Sequence, residues 1–106
     1  MIRIINLHGF HLKQGEVLIK VDRTSVLGNP FYMKDETQRN DVCDRYVTYF
    51  NTILEDRKAK ENQVFLEELR RIYTIAKVQD VALGCWCAPK RCHAETIQKF
   101  LTPFLS

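Results

Sequence analysis

Three of the four cysteines and one of the three histidines fall between Cys85 and Ile97, in the run Cys85-Trp86-Cys87-Ala88-Pro89-Lys90-Arg91-Cys92-His93 and the residues after it. A short apolar run precedes the segment and an amphipathic stretch follows, which is how a strand hands a loop to a helix N-terminus. A thiol there has its anion stabilised by free backbone N–H groups and the macrodipole, which lowers its pKa below the usual value of about 8.5. Lys90 and Arg91 act in the same direction, and His93 supplies a general acid or base. Cys92 is therefore a candidate nucleophile, with His93 and Cys87 completing a catalytic set. The same N–H groups, with Lys90 and Arg91, also suit a phosphate or carboxylate.

The alternative is a zinc site built from Cys85, Cys87, Cys92 and His93, four ligands of the right kind. Adjacent residues at a helix start diverge by about 100°, which makes it hard for Cys92 and His93 to reach one ion. Paired Cys-x-x-Cys knuckles are also missing. Packing is the plain reading of Cys85 and Cys43. Trp86 is expected in the core with a partner for its indole N–H.

A second loop, Arg23–Phe31, offers a guanidinium, two hydroxyls and the turn Gly28-Asn29-Pro30. Arg23 could grip an anion in a bidentate fashion, and Asn29 could read an amide or base edge, although the same residues also describe an ordinary turn. Arg39 opens a helix, where a cation opposes the dipole. An anionic ligand would account for it, and so would a salt bridge to Asp35 or Glu36. His8 and His11 flank a glycine and read as surface residues.

Positioning these groups requires a sheet and helices to cover it. Met1–Leu7 and Glu16–Asp22 are short, β-branched and apolar, and predict strands. Val42, Tyr46, Tyr49, Phe50, Ile53 and Leu54 form one helical stripe over 39–54, with Thr37 or Asn40 as its cap. The charged stretch Glu55–Glu61 is either a loop or the start of the next helix, whose stripe is Phe65, Leu69, Ile72, Tyr73 and Ala76. Val78–Cys87 is nearly continuous in apolar residues, the mark of a strand covered on both faces. A last helix carries Ile97, Phe100, Leu101, Phe104 and Leu105, its final turn placed in doubt by Pro103. The order predicts a small single-domain α/β protein over 1–106, a three-layer sandwich whose short mixed or parallel sheet is flanked by three helices. Sites in such sheets collect beyond the carboxyl ends of the strands, which places the cysteine loop at the site and the Arg23–Phe31 loop beside it if their strands are parallel.

With 106 residues, 45% of them hydrophobic and 27% charged, the composition is that of an ordinary globular domain. A net charge of +3 is too small to argue for nucleic-acid binding by itself. No apolar run reaches the roughly 18 residues of a membrane span, and the N-terminus lacks a secretory pattern. The expected setting is the cytoplasm, with four reduced thiols and no membrane partner.

Leu27-Gly28-Asn29-Pro30-Phe31, Arg39 ahead of a helix bearing Tyr46, and Cys85-Trp86-Cys87-Ala88-Pro89 with Cys92-His93 together resemble the family catalogued as Domain of Unknown Function 4326. The resemblance runs from about Val17 to Phe104. It departs after Cys92-His93, where many members carry Gly-Asp in place of Ala94-Glu95. It implies a bacterial or phage setting, the host cytoplasm if phage-encoded, and that Gly28, Asn29, Arg39, Cys87, Cys92 and His93 belong together. The family brings no assigned activity.

The leading expectation is a domain that binds a nucleotide-like or other phosphate-bearing anion between the two loops, either as an enzyme that acts on it or as a pure binder. Arg23 and Arg39 would neutralise the ligand, Gly28 and Asn29 would orient it, and Cys92, His93 and Cys87 would supply chemistry. One alternative is the zinc-stabilised interaction module. Another is a nucleic-acid binder using basic residues with Phe31, Tyr32 and Tyr46.

Overall fold

The computed structural model describes residues 1–105. Three strands, β1 (Ile2–Asn6), β2 (Glu16–Lys20) and β3 (Asp80–Cys85), form one sheet in the order β1-β3-β2. Both pairings are parallel, Ile2 opposite Val81 on one side and Val17 opposite Val81 on the other. The central strand is the last to occur in the sequence. This explains its continuous apolarity, since Val81–Cys85 are all buried.

The pleat separates two faces. Val81, Leu83 and Cys85 join Ile2, Ile19 and Val21 in the main apolar cluster. All three helices contribute to that cluster: α1 (Arg39–Glu55) through Tyr46, Phe50 and Ile53, α2 (Gln63–Ala76) through Phe65, Leu69 and Ile72, and α3 (Ala94–Leu101) through Ile97 and Leu101. Phe50 is the hinge of the arrangement, its ring meeting Phe65 at 5.6 Å and Phe100 at 5.4 Å between centroids. Burying such rings contributes about 1.5–3 kcal/mol each.

Ile5 and Ala82 are equally buried but lie outside that cluster, on the opposite face. A Cβ on Gly84 would fall 2.5 Å from Leu7 Cδ2 and 3.1 Å from Leu18 Cδ1, so the cover there is a close apolar layer without room for a side chain. The β1–β2 connection is anchored to this side by Arg3, which donates Nε and Nη2 to the two carboxylate oxygens of Glu16 and Nη2 to His11 O, each at 2.7 Å. The sequence places helices on both faces. The structure keeps the α/β class and the parallel sheet but makes the second cover from a loop, because the crossover from β1 to β2 contains no helix.

Local chemistry explains the remaining boundaries. Asp35 accepts from Thr37 N at 2.9 Å and caps a 3-10 turn (Glu36–Gln38) that runs into α1. Neither Thr37 nor Asn40 caps α1; the residue ahead of it is Gln38, with no capping side chain. Glu55–Glu61 resolves as a helix end, a turn and a 3-10 segment (Lys60–Asn62), tied by Asn62 Nδ2 donating to Asp56 O at 2.8 Å. Pro103 lies in a terminal 3-10 turn after α3. No helix among the described residues is long and apolar enough to cross a membrane.

Candidate functional site

Because β2 and β3 are parallel, the segments leaving their carboxyl ends emerge side by side, and a cleft of about 310 Å³ opens between them. Arg23, Asn29, Arg39, Cys85, Cys87, Cys92 and His93 all line it. Gly28 does not, and its role is set by packing. A Cβ at that position would fall 2.4 Å from Asp22 O and 2.8 Å from Arg23 Cα, so only glycine lets the loop fold back on the strand end.

The loop after β2 is bolted to α1. Tyr46 is fully buried and donates its hydroxyl to Leu27 O at 2.7 Å. Burial drives its phenol pKa upward, so the group remains a neutral donor. Asn29 donates Nδ2 to Val42 O at 3.2 Å and accepts Phe31 N at 2.9 Å through Oδ1. Both ends of its amide thus hold backbone rather than face the opening. Arg23 donates to Asn29 O at 2.9 Å and Phe31 O at 3.1 Å, and its guanidinium lies 4.0 Å over the Tyr32 ring.

Arg39 is committed on three sides. It forms a fork with Glu36, both bonds at 2.7 Å, and donates Nη1 to Arg91 O at 2.9 Å. Its third neighbour in the cleft lining is Cys87, whose ionised form its charge favours. The salt bridge foreseen for this arginine is therefore made with Glu36, whose carboxyl is held at about 2 by the pairing. Arg91 donates to Asp44 at 2.7 Å and Lys90 to Glu36 at 3.3 Å. The cleft lining carries the arginines 23, 39 and 91 against one carboxylate, Asp22.

The three thiols Cys85, Cys87 and Cys92 line the same cleft. Cys85 and Cys87 favour the protonated form of Cys92 and its side chain is buried, so its pKa moves strongly upward. Cys92 and the adjacent Arg39 guanidinium bring Cys87 down to about 5 in spite of partial burial. Cys85 is drawn the same way by Cys92 and by the N–H groups of Cys87 and Ala88, but it is almost completely enclosed. Charge therefore resides best on Cys87, the sulfur with both an arginine and an opening. Cys43 is shifted upward by burial. All four thiols are free.

His93 sits at the start of α3, where its Nε2 bonds the Val21 carbonyl. A carbonyl only accepts, so Nε2 carries the proton and Nδ1 presents a lone pair to Cys92 Sγ at 3.4 Å. Burial lowers the imidazole's pKa and keeps it neutral. Glu95, in the first turn of α3, reaches back to accept Cys92 N at 3.0 Å, while the N-cap residue His93 makes no side-chain capping bond. Among the described residues no group of three His, Cys, Asp or Glu is arranged to hold a metal ion. The two nitrogens of His93 are taken by Val21 and Cys92, which is the local reason that it joins no such group.

Trp86 departs from expectation. It is 60% exposed at the cleft mouth instead of in the core, and its Nε1 donates to Asp22 at 2.9 Å. Phe31 packs edge-on against Tyr49 and Tyr46 is buried, so of the three aromatics expected to meet nucleic acid only Tyr32 is open. Sequence reasoning passed over Asp22, which accepts from Thr24 and Trp86 and has its carboxyl pKa lowered by them. Its place just past a strand end was the signal that could have found it. Glu36 was weighed only as one of two salt-bridge candidates for Arg39, and in the structure it also holds Lys90.

The fold and the cleft define a small parallel α/β domain with a thiol-bearing site at the strand ends. The chain belongs to the family described as Domain of unknown function (DUF4326), whose profile matches residues 6–103. No curated protein and no solved structure matches it.

Proposed function

We propose that the cleft binds a planar, anionic ligand of the nucleotide class and presents the Cys87 sulfur to it. The observation that carries this reading is the lining itself: three arginines, a thiol cluster and the exposed Trp86 ring around one opening. Exposed indole and phenol faces are stacking surfaces for a base. Arg23 and Arg91 line the opening with their guanidiniums held by Asn29 O, Phe31 O, Asn40 and Asp44, and supply positive charge for a phosphate. Cys87 is the nucleophile facing the ligand, with Cys92 and His93 behind it to move a proton. Asn29, Gly28 and Arg39 act by positioning the loop, the strand end and the thiolate.

Isothermal titration of the reduced protein with AMP, ADP, ATP, adenosine and inorganic phosphate tests the reading. Saturable binding of a nucleotide, weakened about tenfold or more in Arg23→Ala and Trp86→Ala, is the expected result. Absence of saturable heat for every one of these probes up to millimolar concentration overturns it.

A further inference from the structure

The thiol group has a property independent of any nucleotide. Cys87, half-buried, lines the same cleft as a second thiol, Cys92, that is 3% exposed and backed by an imidazole lone pair 3.4 Å away. Cys85 is the poorer partner for Cys87. Cys85 is fixed as the last residue of β3, 1% exposed and paired opposite Asn6 in the sheet. Cys92 arrives from a different element, the loop before α3, and is free of that restriction.

We infer that Cys87 and Cys92 form a peroxide-reactive dithiol, Cys87 taking the oxygen and Cys92 resolving it to a disulfide. In the first step the Cys87 sulfur attacks the distal oxygen of a hydroperoxide. An S–O bond forms, the O–O bond breaks, two electrons pass from sulfur to the peroxide, and the departing alkoxide or hydroxide takes a proton from solvent. Cys92 then passes its proton to His93 Nδ1, and its sulfur attacks that of Cys87. The S–S bond forms, the S–O bond breaks, and the hydroxide leaves with the proton from His93 as water. An external dithiol restores the pair by exchange. Arg39, which shares the cleft lining with Cys87, favours the ionised form of the attacking group.

The sequence offers a direct test, because Lys90 and Arg91 separate the two cysteines for trypsin. Reduced protein is treated with equimolar hydrogen peroxide, quenched with iodoacetamide, digested without reductant and mapped. The expected result is a fall from four free thiols to two, with peptide 78–90 joined to peptide 92–99. The link persists in Cys85→Ala and disappears in Cys87→Ser. In Cys92→Ser, dimedone labels Cys87 as the unresolved sulfenic acid. Four thiols remaining free, a link that survives in Cys87→Ser, or sulfinic acid on Cys87 with Cys92 still alkylated would each overturn the proposal. No nucleotide enters the experiment, so its failure leaves the ligand reading untouched.

Discussion

His93 gives its Nε2 proton to the carbonyl of Val21, joining the first turn before α3 to the end of β2 across 72 positions of sequence. That bond fixes the tautomer, and the tautomer fixes which way Cys92 can send its proton. A structural tie and a chemical assignment are thus made by one contact.

Replacing His93 with Ala removes the donor from a buried carbonyl and opens space in the core. The expected loss is about 2–4 kcal/mol, read as a lower urea midpoint with unchanged slope. His93→Gln, which can still donate to Val21, should recover part of it. Equal losses in the two variants would show that the Val21 bond contributes little.

Acid should destabilise the fold through two groups, of which only Cys87 acts above about pH 6.5. The Cys87 pKa is about 5 folded against roughly 8.5 unfolded, so its contribution is full above about pH 8.5 and is lost as pH falls through 5. His93 has a folded value below its unfolded value of about 6.5, so protonation favours the unfolded chain and stability drops below about pH 6.5. Thermal melts should therefore show Cys87→Ser flattening the slope between about pH 8 and 6 while retaining the fall below it. A variant profile parallel to the wild type throughout would contradict this.

Alkylation by iodoacetamide should follow the same thiolate. Cys87 is expected to react with a midpoint near pH 5, and Arg39→Ala should move that midpoint up by at least about one pH unit. Peptide mapping across a pH series reads both. An unmoved midpoint would assign the low value to the neighbouring thiol alone.

Gly28→Ala should cost roughly 1–3 kcal/mol, since the new methyl would meet the Asp22 carbonyl 2.4 Å away. Trp86→Ala offers the contrast. Its ring is mostly outside the core, so stability should change by less than about 1 kcal/mol while nucleotide binding weakens. Chemical denaturation of the two variants side by side separates the packing residue from the surface one.

Much of the scaffold was legible because each helix shows its buried stripe in sequence, and Val78–Cys87 shows a strand covered on both sides. The parallel register was the condition on which two distant loops could meet, and it is satisfied. What could not be read was which polar groups spend their hydrogen bonds internally. Asn29 and Arg23 have the chemistry of ligand contacts, yet their partners are carbonyls of their own loop and of α1. A place ahead of a helix favours Cys92 as the nucleophile in the sequence, whereas the depth of Cys92 and the arginine beside Cys87 favour Cys87. Trp86 was misplaced because its apolar neighbours imply a core strand, and its outward direction depends on where β3 ends.

β3 is the central strand and also the last to be made. Until Asp80 and the residues after it have left the ribosome, β1 and β2 have no neighbour to bond, for they never touch each other. The sheet is therefore completed in one late event, and the residues that complete it run directly into Cys85, Cys87 and Cys92. A nascent chain that ends before Asp80 therefore has neither the completed sheet nor the cysteine loop that the last strand leads into.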